Sequence, residues 1–304
     1  MIYHMTQLVS FRVITPRRVL FVPLAMSIGA LIGACGSTTS LAAVAKTTTT
    51  AASASPTLVA SPLSPTGSTS TTLPSTTTTS PSVVPTQVSQ TYSKSGSSPS
   101  FSVNISYPVI SGMTSSSAQN GINSQIYGAV ASWANSFMQN VAMAASSGSG
   151  PNGVSNLTGS YKVTLLDARL ASFQFVLNTA AAAASAPNTS IQALTFSLAS
   201  GTVLSLSDLF GTNNSFLTTL SNQARAQLTT QLAAQGVPSA QIQSAPGLNP
   251  LLSNFAAFNI TSNSLILGFS QGQVISSAIG DLTVNIPLVD LKSIIDPTGP
   301  LANP

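Results

Sequence analysis

Apolar residues recur along this chain with two distinct rhythms, and a long N-terminal part has neither. Phe101, Val103, Ile105 and Tyr107 alternate with polar residues up to Pro108, the pattern of a half-buried strand. Ile122, Ile126, Val130, Trp133, Phe137 and Val141 then return every three or four positions, which predicts one apolar stripe on a helix over about 116–145. A Gly- and Ser-rich run before Pro151 stops it. Tyr161, Val163 and Leu165 alternate, and so do Phe173, Phe175 and Leu177, so a hairpin turning near Asp167–Arg169 is expected. Another strand through Ile191 and Thr195 turns at Ala199–Thr202 and returns over Val203–Leu206. Phe216, Leu217, Leu220, Ala224, Leu228 and Leu232 mark a second helix, capped by Asn214 or Ser215 and ended by Gly236-Val237-Pro238. After a polar loop to about Pro250, strands are predicted over 255–260, 265–269 and 282–287. A short helix with Leu288, Leu291, Ile294 and Ile295 follows. The order predicts an α+β fold, an antiparallel β-sheet with two main helices packed on one face. About 200 residues suffice to bury a single core without disulfides.

The first 99 residues read differently. Arg12, Arg17 and Arg18 precede sixteen mostly apolar residues, Val19 to Ala34, and small residues lead to Cys35. Positive flank, short apolar core and small residues at the cut are the layout of a secretory signal. The core is too short for a comfortable membrane span. Ile32-Gly33-Ala34-Cys35 resembles the bacterial lipobox, whose cysteine is acylated and becomes the first mature residue. Cys35 is the one cysteine of the chain and stands where that chemistry needs it. Residues 1–34 are therefore expected to be a lipoprotein signal peptide, and Cys35 the lipid anchor. From 35 to 99 Thr, Ser, Ala and Pro dominate, with too few large apolar groups to offset the entropy of ordering. A disordered tether is expected there, spanning roughly 40–45 Å as a random coil. Residues 100–304 remain for the folded domain.

Composition then narrows the chemistry. The formal net charge is +4, but three of the nine cations belong to the leader. Beyond Cys35 remain Lys46, Lys94, Lys162, Arg169, Arg225 and Lys292 against Asp167, Asp208, Asp281, Asp290 and Asp296, which is nearly neutral. Nothing here neutralises several phosphates, so nucleic acid is not an expected partner. Glutamate is absent and the one histidine, His4, lies in the leader. A mature chain of this kind cannot build a Ser-His-Asp or Cys-His pair and lacks the commonest zinc ligand. No cofactor or metal is expected. The five aspartates are the remaining candidates for a catalytic pair, and their spacing matches turns and caps instead. So few titrating groups also predict a fold indifferent to pH between about 3 and 8.

Four stretches carry a family resemblance: Tyr107-Pro108-Val109-Ile110-Ser111-Gly112 before the first helix; Leu198-Ala199-Ser200-Gly201-Thr202-Val203-Leu204-Ser205-Leu206-Ser207-Asp208-Leu209-Phe210; the strand Phe255–Ile260 leading into Ser264–Phe269; and Ala278-Ile279-Gly280-Asp281-Leu282-Thr283-Val284-Asn285-Ile286-Pro287-Leu288. With them the chain resembles the extracellular domain family of RsiV, the lysozyme-sensing anti-sigma factor. Related modules occur beside peptidoglycan deacetylases and in secreted mycobacterial antigens. The resemblance implies lysozyme-like hydrolases or peptidoglycan as ligand classes. With about eighteen residues before the apolar core, a sigma-binding domain is not expected, and neither is the deacetylases' catalytic domain. Where many members have a histidine-bearing stretch, Ser185-Ala186-Pro187-Asn188 stands.

The expectation is thus a cell-surface lipoprotein on the outer face of the cytoplasmic membrane. Its domain would be a non-catalytic binding module for a wall-associated protein or peptidoglycan, gripping through loops and aromatic edges. An accessory or catalytic unit in peptidoglycan modification, built on aspartates, is one alternative. A wall-structural or antigen-like protein without a small ligand is another.

Overall fold

The computed structural model describes residues 83–302 apart from 150–152, 183 and 185. The expected leader, Cys35 and most of the expected tether lie outside the described residues. Strand β1 (Thr86–Ser97) and strand β2 (Ser100–Ser111) form an unbroken antiparallel hairpin from Thr86↔Ser111 to Ser97↔Ser100. Helix α1 (Ser116–Ala144) follows, with the Ser115 hydroxyl accepting the Ala118 N–H as its cap. Strands β3 (Ser155–Leu166) and β4 (Leu170–Ala180) make the next hairpin. Asp167 Oδ1 fixes its turn by accepting the N–H groups of Arg169 and Leu170, each at 2.7 Å. Strands β5 (Asn188–Ser197) and β6 (Thr202–Val203) complete a six-stranded sheet in sequential order. Its one parallel junction, β2 with β3, is where α1 provides the crossover that parallel strands need.

The second half holds helix α2 (Phe216–Ala233), helix α3 (Ser239–Gln243) and an antiparallel sheet of β7 (Phe258–Ile260), β8 (Ser264–Phe269) and β9 (Leu282–Pro287). A single turn of helix, α4 (Leu288–Leu291), follows β9. The α+β class and both main helices are as expected. The strands, however, divide between two sheets, and the apolar side chains gather in two clusters. One packs the α1 stripe (Ile122, Ile126, Val130) against Ile105, Phe173, Phe175 and Phe196. The other joins Leu220, Ala224 and Leu228 of α2 to Phe255, Leu267, Phe269 and Ile286. α1 carries no charge at either end that would favour its dipole, so its seven buried residues, not its termini, hold it in place.

Between the clusters sits a small polar knot. Ser172 on β4, Thr195 on β5 and Asn259 on β7 are all at most 1 % exposed. Ser172 Oγ accepts Asn259 Nδ2 at 3.0 Å and the Ile260 N–H at 3.1 Å. Those two bonds fill its lone pairs, so its own hydrogen goes to Thr195 Oγ1, 2.9 Å away. Thr195 in turn reaches the Phe258 carbonyl at 3.5 Å. Every member has a partner, and this lets polar groups sit in a dry junction.

One boundary needs correction. The tether expected to residue 99 ends earlier, because β1 occupies Thr86–Ser97. Tyr92, which falls inside the span read as tether, is buried.

Candidate functional site

Two neighbouring strands place tyrosines on the α1 side of the first sheet. Tyr92 pairs with Ile105 and Gln90 with Tyr107, so Tyr92 and Tyr107 point to the same face one step apart. Tyr127 follows the buried Ile126 on α1 and leans over both rings, with centroids 5.9 Å from Tyr92 and 6.1 Å from Tyr107. The tilted and edge-on geometries are those that aromatic quadrupoles favour. Tyr127 keeps 50 % of its surface exposed, whereas Tyr92 and Tyr107 are below 10 %. The result is an exposed ring held from beneath by two fixed ones.

Amides flank the rings. Tyr107 donates its hydroxyl proton to Gln90 Oε1 at 3.0 Å, and Tyr161 donates to Gln87 Oε1 at 2.6 Å. Both carboxamides are thereby oriented with their oxygens inward. Among the described residues the Gln90 N–H groups have no protein partner, so a donor stands beside the Tyr107 ring. Such a surface suits a ligand rich in hydroxyl or carbonyl oxygens with an apolar face.

A second concavity, about 490 Å³, lies at the other end of the described chain. Leu288, Val289, Ile295, Pro297 and Leu301 line it, with Lys292 as its one charged group.

The aspartates are scattered among structural duties. Asp167 closes the β3–β4 turn. Asp208 Oδ2 accepts the Ser205 N–H and hydroxyl at 2.7 and 2.8 Å in a capping box. Asp296 Oδ1 accepts the Thr298 N–H and hydroxyl, each at 2.8 Å. Asp281 and Asp290 are exposed before and after β9. Among the described residues no three of His, Cys, Asp or Glu gather in a metal-holding group. The Thr298 backbone bond, then its hydroxyl, hold the Asp296 carboxyl below its ordinary 3.8. A folded-state value lowered in this way adds stability above the ordinary value and withdraws it as pH falls through the lowered one. Thermal unfolding is therefore expected to show a nearly constant Tm from about pH 8 to 4 and a decline only below that, one unit short of the indifference down to about 3 that composition alone suggests. A steep fall between 8 and 5 would refute this.

Sequence reasoning did not assemble the tyrosine surface. Tyr92 was the one aromatic in a Ser/Thr/Gln run, and Tyr127 sits one residue off the apolar stripe. Those two departures from pattern were the available signal.

Residues 207–288 match DUF3298, a protein family of unknown function. The matched DUF3298 segment runs from the Asp208 capping box through α2 and the second sheet to Leu288. No curated protein matches the chain. Among solved structures the chain is similar to a DUF3298 family member from Bacteroides fragilis NCTC 9343. The two are 13 % identical with a TM-score of 0.48, over 71 % of this chain and 94 % of that one. It is likewise similar to a DUF3298 family protein from Pseudomonas aeruginosa PAO1, with 12 % identity and a TM-score of 0.48 over 70 % and 94 % of the two chains. Tyr92, Tyr107 and Tyr127 all precede the DUF3298 match, so the candidate surface rests on its own geometry.

Proposed function

We propose that this chain is a cell-surface lipoprotein, held by lipid on Cys35 at the outer face of the cytoplasmic membrane, whose folded part is a non-catalytic binding module. Its ligand is a wall-associated protein of the lysozyme-like class or peptidoglycan itself. The observation that carries this reading is the half-exposed Tyr127 ring braced by Tyr92 and Tyr107 and bordered by the Gln90 amide. Rigid tyrosines supply contact area at small entropic cost, and their hydroxyls tolerate water in the interface. The RsiV-type resemblance supports the ligand classes, and the lipobox supports the address.

Contact of this kind has a recognisable signature. Few charges stand near the rings, so affinity is expected to change little between low and high salt. Tyr127→Ala is expected to weaken binding about five- to thirtyfold while lowering the Tm by only a few degrees, about what the two lost ring contacts are worth. Calorimetric titration of the full chain with lysozyme, and co-sedimentation with purified wall fragments, separate the two ligand classes. Binding to neither, or equal binding by Tyr127→Ala, would defeat the reading.

A further inference from the structure

The margins of the two sheets are not treated alike. At β9, Gln227 and Gln231 of α2 donate to the carbonyls of Asn285 and Thr283 at 2.7 and 3.3 Å. At β6, Gln125 of α1 donates to the Gly201 carbonyl at 2.8 Å and accepts the Val203 N–H at 3.2 Å. Where β5 runs beyond β6, Gln271 Oε1 accepts the Thr189 N–H and Ser270 Oγ accepts the Ile191 N–H. At β7, Ser172 accepts the Ile260 N–H. Each margin has a side chain that takes backbone groups its strand leaves unpaired.

β1 is the exception. Along Thr86–Ser97 no side chain or loop among the described residues bonds its backbone on the side away from β2. Of its 12 residues only Tyr92 is buried. It has no proline and no bulge, and one charge, Lys94. A long edge with a single charge is a template for another strand, and apart from Lys94 the devices that blunt such edges, proline, a bulge or a covering side chain, are missing.

We propose that β1 pairs antiparallel with β1 of a second copy, giving a two-fold dimer whose first sheets are continuous. An antiparallel pair of identical strands is its own complement, as an isologous interface requires. Charge permits it. Centred on Thr91, so that each residue faces one on the same side of the sheet, the pairing leaves the two Lys94 positions about 20 Å apart along the strands, well beyond a Debye length of about 10 Å. Most of the facing residues are Ser, Thr and Gln, whose hydroxyls and amides bond across strands, and Lys94 falls opposite Val88 of the other copy. Val88, now 57 % exposed, gains cover. The pairing uses the backbone edge of β1 and does not depend on the tyrosine surface having a ligand.

The test uses the full chain with Cys35→Ser, which removes its one thiol. Sedimentation over a range of concentrations is expected to show a monomer–dimer equilibrium. Cysteines introduced singly at Ser89, Thr91 and Ser93 are expected to cross-link between copies. The yield should be greatest at the position nearest the two-fold and fall within two residues of it. The exposed pair Ser89→Lys and Ser93→Lys together is expected to raise the dissociation constant about tenfold or more, with the parent's Tm. A monomer at every concentration would overturn the proposal. So would a dimer that ignores the lysines and gives no cross-link within β1.

Discussion

Ser172→Ala is expected to lower the unfolding free energy by about 2–4 kcal/mol, far more than a serine truncation ordinarily does. Removing Oγ leaves the Asn259 amide and the Ile260 N–H, both buried, with a donor each and no acceptor. It also takes away the hydrogen that Thr195 Oγ1 accepts. Unmade bonds in a dry place each cost about 1–3 kcal/mol, and the methyl that replaces the hydroxyl returns little. For a domain of this size the Tm should fall by about 6–12 °C. Chemical denaturation of the single variant and of Ser172→Ala with Thr195→Val checks the mechanism. In the double variant the cost should be less than the sum, because the second change removes a group the first has already stranded. Strict additivity, or a single-variant loss below about 1 kcal/mol, would mean that the knot is relieved by water.

Gly201→Ala is expected to cost about 3 kcal/mol or more, and its counterpart Gly236→Ala only about 1 kcal/mol. The two glycines share a left-handed backbone, with φ +71 and φ +73. They differ in what a side chain would meet. At Gly201 a Cβ would lie 2.6 Å from Ala118 Cα and 2.9 Å from the Ala118 carbonyl oxygen, because the turn rests directly on the first turn of α1. At Gly236, just past the end of α2, nothing stands within 4 Å. The conformational penalty is common to both, so the difference in denaturant midpoints isolates the close approach. Equal losses would show that the turn can move off α1 without harm.

Legibility in the sequence followed side-chain burial. Both long helices show because one face of each is apolar at helical spacing: the α1 stripe was placed over about 116–145 and the helix spans Ser116–Ala144. Leu217 and Trp133, counted in the stripes, prove only partly buried, being on the flanks of their faces. β1 was invisible for the same reason. Its order comes from backbone hydrogen bonds to β2 along its whole length, and a strand at a sheet margin needs almost no apolar side chains. A Ser/Thr/Gln strand at an edge and a Ser/Thr/Pro linker have nearly the same composition. The division into two sheets was equally hidden. It turns on Ser172, Thr195 and Asn259, three polar residues whose burial depends on partners 23 to 88 positions away. The segment after α2 was read as loop, yet Ala245, Leu248 and Phe255 reach the second core from short helical turns. α2 ties the start of that segment down: Arg225 donates to the carbonyls of Ile242 and Ala245 at 2.9 and 3.4 Å, and Ser221 donates to that of Leu248 at 2.5 Å. The tyrosine surface was lost with β1, since two of its rings become neighbours only once that hairpin forms.

The hairpin has a mechanical side. Thr86 lies at its open end and Ser97 at its closed one, so a pull arriving from the N-terminal direction loads the cross-strand bonds one after another. Peeling of this kind yields at low force. All 12 residues of β1 could unroll with Tyr92 the one core side chain withdrawn, lengthening the chain by about 40 Å. A second strand docked along the outer margin would brace that seam on both sides, and the same feature would then serve as a shock absorber in one state and a clasp in the other.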